Sequence, residues 1–234
     1  MKIILLAGGL GTRISEETDT KPKPMVLING KPLLWHLMCI YAKQGFSDFV
    51  IATGYKGDVI HKWVAELDEN WNVKALDTGE ATQTGGRIKK CIETYSDDLY
   101  MATYGDGLGN VNIERLLNVH KQNSAVATLT AVRPPARFGY VKIDGEKVHH
   151  FGEKNQSDEG WINGGFFVLT PEVVDYIKDE KEPFETGALP RLADVNQLNA
   201  YKHEGFWQPM DTLREKLDLE KLAVLNQIPW LSDI

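Results

Sequence analysis

The residues that could do chemistry in this sequence cluster around one glycine-rich segment, Leu6-Ala7-Gly8-Gly9-Leu10-Gly11-Thr12-Arg13. Glycines let a backbone approach a ligand closely and turn several N–H groups toward one point, which suits a phosphate chain. Arg13 adds a fixed charge with forked donors, and Lys23, set between Pro22 and Pro24, adds a second cation whose backbone the prolines restrain. The spacing excludes two common phosphate loops. Ile14 stands where a dinucleotide-binding loop has its third glycine, and no Gly-Lys-Ser/Thr follows as in a Walker loop.

Carboxylates supply the second half of the chemistry. Asp106 lies between Gly105 and Gly107 after an apolar run, and a carboxylate there can ligate Mg²⁺ or serve as a turn residue. Asp211 is far off in Trp207-Gln208-Pro209-Met210-Asp211-Thr212, where it can ligate a metal or cap a helix. Thr82 to Arg87 offers hydroxyls, small residues and a guanidinium, and also reads as a helix start. Glu153-Lys154 and Asn163-Gly164-Gly165 could bind hydroxyls and a phosphate. His149-His150 is no metal pair, because consecutive residues on a strand point apart.

These residues need elements to hold them. Apolar runs predict strands at Lys2 to Ala7, Phe49 to Thr53, Val73 to Leu76 and Leu99 to Tyr104. Helices are expected over Pro32 to Lys43, over Asp58 to Leu67 and after Thr84-Gly85-Gly86. This alternation, with functional residues at strand ends, predicts an α/β fold with a largely parallel sheet. From about Ala125 strands dominate, at Val126 to Val132, Gly139 to Ile143 and Gly164 to Leu169, before a helix over Asp211 to Leu225. One domain of two lobes is expected, residues 1–124 for the nucleotide and 125–234 for the acceptor.

Composition narrows the function classes. A net charge of -7 over 234 residues argues against a nucleic-acid partner. No apolar run approaches the roughly 18 residues of a membrane span. Cys39 and Cys91 lack metal-ligand spacing, so a reduced cytoplasmic setting is expected.

Gly8 to Arg13 followed by Pro22-Lys23-Pro24-Met25 resembles the signature of the sugar-phosphate nucleotidyltransferase family. Ser15-Glu16-Glu17-Thr18 is similar to its glucose-1-phosphate cytidylyltransferase branch. The likeness continues through Gly30-Lys31-Pro32, Gly54-Tyr55-Lys56-Gly57, Asp77-Thr78-Gly79, Thr84-Gly85-Gly86-Arg87, Tyr104-Gly105-Asp106-Gly107, Arg137-Phe138-Gly139 and Ile162 to Phe167. It ends at Gly205 to Thr212.

The resemblance implies a Rossmann-like nucleotide-diphospho-sugar transferase fold, a mostly parallel mixed sheet with a smaller β-rich sugar-binding lobe. It implies CTP and a sugar 1-phosphate as substrates, with Mg²⁺ held by Asp106 and Asp211. Arg13 and Lys23 are then catalytic. Leu6 to Arg13, Lys23, Thr82, Gly86, Arg87, Gly105 and Asp106 bind the nucleotide, and Gly139, Glu153, Lys154, Asn163 and Gly164 the acceptor. The implied reaction is in-line attack of glucose 1-phosphate on the α-phosphorus of CTP. Other sugar phosphates or small phosphates are alternative acceptors. A silent regulatory relative is the alternative of another class, which the presence of Lys23, Asp106 and Asp211 disfavours.

Two departures stand out. Asn155 replaces the proline that usually follows the Glu-Lys pair, and an insertion that members carry between Ile60 and Asp77 is missing. Members are commonly multimers, which implies a homo-oligomer.

Overall fold

A strand buried on both faces reads as an unbroken apolar run, and its two side-chain rows must enter two different cores. In the structure, a computed structural model, Lys2–Leu6 (β1) meets this condition. Ile3 and Leu5 enter one core with Phe49, Ile51 and Met101, while Ile4 and Leu6 enter another with Val50, Ala52 and Ala102. The structure describes residues 1–9, 11, 14–134, 139–153, 160–225 and 228–232.

The first half begins with β1, the short helix α1 (Ser15–Thr18) and a two-strand ribbon, β2 (Leu27–Ile28) and β3 (Lys31–Pro32). Then follow α2 (Leu33–Ala42), β4 (Asp48–Thr53), α3 (Gly57–Ala65), β5 (Asn72–Asp77), α4 (Thr84–Thr94) and β6 (Tyr100–Tyr104). After β7 (Gly107–Gly109) and α5 (Ile113–Asn123) come β8 (Ala127–Val132), β9 (Gly139–Asp144), β10 (Lys147–Glu153) and β11 (Ile162–Leu169). The chain closes with α6 (Ala188–Asp194), β12 (Leu198–His203), β13 (Trp207–Pro209) and α7 (Leu213–Val224).

Seven strands form a mixed sheet in the order β12-β8-β11-β6-β1-β4-β5, antiparallel only where β11 pairs with β6 and β8. Helices α2, α5 and α7 give buried residues to one core, and α4 and α6 to the other. From β1 the chain runs outward through β4 and β5, then returns to β6 on the opposite side of β1. That reversal opens a crevice beyond the carboxyl ends of β1 and β6, where open α/β sheets bind ligands.

Several elements differ from expectation. The strands of the second half extend the central sheet, and the β9–β10 hairpin stands outside it. Helices α5 and α6 and strand β12 were not foreseen. The last helix begins at Leu213, two residues later than expected, because Thr212 caps it. Its hydroxyl accepts from Glu215 N–H, and the Glu215 carboxylate accepts from Thr212 N–H.

Candidate functional site

The glycine loop leaves β1 held by hydrogen bonds from several directions. Ala7 N–H still bonds Ala52 C=O at 3.0 Å, prolonging the β1–β4 ladder. The Gly8 carbonyl accepts from Tyr55 N–H at 3.3 Å and from Arg87 Nη2 at 3.0 Å. Gly11 adopts φ +65°, a left-handed turn that favours glycine, and a Cβ there would sit 3.1 Å from both Thr18 and Lys23 side chains. Thr18 Oγ1 lies 3.2 Å from the Gly11 carbonyl, and Lys56 Nζ donates to the Thr18 carbonyl at 2.8 Å. The loop is thus tied to the segments after β4 and β5 and to α1. Leu10, Thr12 and Arg13 lie outside the described residues.

Lys23 opens a single 3₁₀ turn, Lys23–Met25, and is itself buried. The turn carries Met25 N–H to Pro22 C=O at 2.8 Å and Val26 N–H to Lys23 C=O at 3.0 Å. From this fixed base Nζ reaches Asp106 Oδ2 at 3.0 Å and Asp211 Oδ1 at 2.6 Å. The two aspartates are brought together by backbone. Strand β13 pairs antiparallel with β7, Pro209 opposite Gly107, and Met210 N–H bonds Asp106 C=O at 2.7 Å. With Thr212 taking the helix cap, the Asp211 carboxylate is committed to the site. Gly105 is required where it stands, since a Cβ there would lie 2.5 Å from the Leu6 carbonyl oxygen.

Two adjoining cavities, of about 270 and 570 Å³, share Leu6, Gly9, Gly11, Gly105 and Asp106 in their walls. Lys23, Pro24 and Asp211 complete the smaller one. The larger runs beneath the segment after β5, past Thr82, Gln83 and Thr84, to Tyr104 and Glu185. Both cysteines are buried, which pushes their thiols up to about 12, so neither serves as a nucleophile at neutral pH.

A family profile described as nucleotidyl transferase matches residues 2–216 of this chain. The chain belongs to the nucleotidyl transferase family. It is 46% identical to the glucose-1-phosphate cytidylyltransferase of Salmonella typhi, with 98% of each chain covered. It is 38% identical to a probable glucose-1-phosphate cytidylyltransferase of Bacillus subtilis, over 98% of this chain and 99% of that one. HddC of Yersinia pseudotuberculosis in complex with GMP-PN shares the fold, with a TM-score of 0.71 at 24% identity and 94% and 98% of the chains covered.

The Salmonella alignment runs to 253 residues against the 234 of this chain, so that relative carries at least 19 residues without a counterpart here. As a nucleotidyltransferase of Rossmann-like α/β fold, the chain transfers a nucleotidyl group to a sugar 1-phosphate. Among the described residues no helix is long and apolar enough to cross a membrane.

Within this nucleotidyltransferase, the expected site residues divide. Leu6, Gly8, Gly9, Gly11, Lys23, Gly105, Asp106 and Asp211 meet around the paired cavities. Thr82 reaches the larger cavity, but its hydroxyl is spent on the Thr78 carbonyl at 2.6 Å.

Arg87 also holds the loop from within. Its edge reaches the cavity wall, yet the residue is 3% exposed and its donors point into the protein. Nη1 bonds the Thr53 carbonyl at 2.8 Å and Thr78 Oγ1 at 2.5 Å, while Nη2 bonds Gly8 and Glu80 carbonyls at 3.0 and 3.3 Å. It is a strut between the glycine loop and the ends of β4 and β5.

Gly86 makes room for a packed segment. A Cβ there would lie 2.4 Å from the Glu180 carbonyl oxygen, so its missing side chain admits the segment before α6.

On the acceptor side, Asn163 Nδ2 bonds the Tyr104 hydroxyl at 3.1 Å. Gly164 packs on Val132, where a Cβ would approach to 2.6 Å, and its carbonyl accepts from Trp207 Nε1 at 2.9 Å. Gly139 and Glu153 are register partners at the open end of the β9–β10 hairpin. Lys154 lies outside the described residues.

Sequence reasoning missed Tyr104 and Glu185 as cavity residues. The tyrosine could have been found from its place two residues before Asp106 at the end of a strand. Glu185 has no local signal.

Proposed function

We propose that this chain is a magnesium-dependent cytidylyltransferase that converts CTP and α-D-glucose 1-phosphate into CDP-glucose and pyrophosphate. The observation that carries the chemistry is the convergence of Lys23, Asp106 and Asp211 where the two cavities meet. The choice of CTP and of glucose 1-phosphate is supported by the names of the relatives that match along almost the whole chain.

The residues fit a magnesium ion. Two carboxylates reach a single cationic position, which the Lys23 ammonium holds, and both offer oxygen. Mg²⁺ is commonly bound by one or two carboxylates together with substrate phosphates. Asp106 and Asp211 would hold it, and the ion would neutralise phosphate charge.

The rest follows from the chain's own groups. An ionised sugar phosphate is already a nucleophile, so no side chain has to remove a proton. Its oxygen forms a bond to the α-phosphorus as the bond to the β-phosphate oxygen breaks, and that electron pair leaves with pyrophosphate. Lys23 balances charge at the α-phosphate, and Gly8, Gly9 and Gly11 put no side chain of their own in the way of the phosphates. Catalysis is alignment and charge neutralisation.

The test is pyrophosphate release across CTP, UTP, dTTP and GTP, each offered with glucose 1-phosphate and mannose 1-phosphate. CTP with glucose 1-phosphate should give the highest kcat/KM. A clear preference for another pair would replace this assignment.

A further inference from the structure

The larger cavity is charged differently from the smaller one. Lys23 stands in the smaller, whereas the larger has Arg87 as the one cation among the described residues of its wall. The Nη groups of Arg87 bond the Thr53, Gly8 and Glu80 carbonyls and the Thr78 hydroxyl. Two exposed residues of the same wall, Glu80 and Glu185, bring carboxylates. A phosphate chain laid along them would meet like charge, so it takes the end at Lys23 and the glycine loop. The uncharged end of the nucleotide, its base and ribose, takes the larger cavity.

Of the two carboxylates, Glu185 is the one that a side-chain bond orients. Thr84 opens α4, and its hydroxyl donates to Glu185 Oε2 at 2.8 Å while accepting from Phe184 N–H at 2.8 Å. Backbone laces the same two segments together. Gln83 N–H bonds the Glu180 carbonyl at 2.8 Å, and Gly85 N–H bonds the Glu182 carbonyl at 3.1 Å. A Cβ on Gly85 would lie 2.7 Å from that carbonyl oxygen, so the close approach depends on the glycine. Phe184, fully buried, anchors the segment next to Glu185. Thr84 uses one of about four acceptor positions on the carboxylate, which leaves capacity for a donor in the cavity.

A carboxylate accepts hydrogen bonds and cannot donate them. Cytosine carries an exocyclic amine where uracil and thymine carry a carbonyl oxygen. The amine pairs with the carboxylate, whereas the carbonyl sets acceptor against acceptor and leaves a charge unmatched. A site built on such a bond rejects the mismatched analogue far better than an apolar pocket rejects a difference in size.

We propose that Glu185, oriented by Thr84, selects the base by accepting a hydrogen bond from the exocyclic amine of cytosine. The proposal rests on the cytidylyltransferase reading given above and names the side chain that makes its choice of nucleotide.

Steady-state pyrophosphate release by the whole protein tests it, with the sugar 1-phosphate that the wild type uses best. The kcat/KM values for CTP and UTP are compared between wild type and Glu185→Gln. The substitution keeps the size of the side chain and supplies a donor as well as an acceptor. The CTP-to-UTP ratio should fall by about tenfold or more, the scale of a hydrogen bond to a charged group. Glu80→Gln makes the same change of charge in the same wall and should leave the ratio within about twofold. If Glu185→Gln turns over too slowly, calorimetric titration with CTP and UTP reads the same ratio as affinities.

An unchanged ratio, a change confined to the KM for the sugar phosphate, or an equal effect from Glu80→Gln overturns the proposal. A wild type that prefers a nucleotide other than CTP overturns the underlying reading and this proposal together. A preference for CTP that survives Glu185→Gln overturns this proposal alone.

Discussion

Replacing Arg87 by methionine separates a structural strut from a ligand contact. Methionine reproduces most of the apolar stem and offers no donor. Four oxygens lose a hydrogen bond, those of the Thr53, Gly8 and Glu80 carbonyls and the Thr78 hydroxyl. The losses are unequal. The Thr53 carbonyl keeps Thr78 Oγ1 at 2.6 Å, and the Gly8 carbonyl keeps Tyr55 N–H at 3.3 Å. About 1 kcal/mol for each bond is therefore nearer the truth than the full penalty for an orphaned group. Burial also lowers the guanidinium's pKa, a sign that desolvation offsets part of what the bonds return.

A net loss of about 2–4 kcal/mol follows, and in a chain of this size Tm should fall by roughly 5–15 °C. Thermal unfolding followed by circular dichroism gives that number, and calorimetric titration with CTP gives the affinity. Arg87→Lys should fall between, since one ammonium cannot span four acceptors. An Arg87→Met protein with unchanged Tm and tenfold weaker CTP binding would refute the strut and restore the arginine to the ligand.

Other perturbations test other parts of the structure. In Lys23→Met no ammonium competes for Asp106 and Asp211, so Mn²⁺, followed by electron paramagnetic resonance without nucleotide, should bind about tenfold more tightly while turnover falls by orders of magnitude. Equal Mn²⁺ affinities would show that the lysine does not hold the cation's place. Gly86→Ala sets two effects against each other, since alanine favours a helix by about 1 kcal/mol but here strikes Glu180, at a cost of about 1–3 kcal/mol. Tm should fall, and a rise would mean the contact relaxes freely.

His36, His120 and His203 are buried, and burial lowers each from the ordinary 6.5. The unfolded chain therefore binds more protons below that pH. Stability present above 6.5 should be lost as pH drops toward 5.5, before carboxylates titrate. A Tm constant from pH 7.5 to 5.5 would contradict this.

What the sequence disclosed depended on the range of the contacts involved. The parallel strands were legible because burial on two faces demands an unbroken apolar run, as in Ile3 to Leu6 and Phe49 to Ala52. Helix α5 was equally legible and was overlooked. Ile113, Leu116, Leu117 and His120 repeat at helical spacing behind the capping residue Asn112. Arg87 and Gly86 also carry packing roles that their local pattern does not announce. An arginine after two glycines at a helix start suits a phosphate, and only the tertiary positions of Gly8, Thr53 and Glu180 reveal the bonds and close packing that the two residues also make. At Asp211 the local pattern allowed either a cap or a ligand. The capping box formed one residue later settles the cap on Thr212. Glu185 lay beyond reach, because its partner Thr84 is about a hundred residues earlier and neither pattern announces the other.

The short ladder between β7 and β13 has a consequence for how such a protein can change. It clamps the chain just after Asp106 to the chain just before Asp211, so the separation of the two aspartate backbones is inherited from backbone pairing alone. Everything between Asn110 and Phe206 is then an excursion that leaves and returns through one clasp. That excursion contributes β8, β11 and β12 to the central sheet, so changes of length are expected to be tolerated best in the turns between its elements. The clasp ties the spacing of the two aspartates to a ladder of three residue pairs, whatever the length of chain that lies between them.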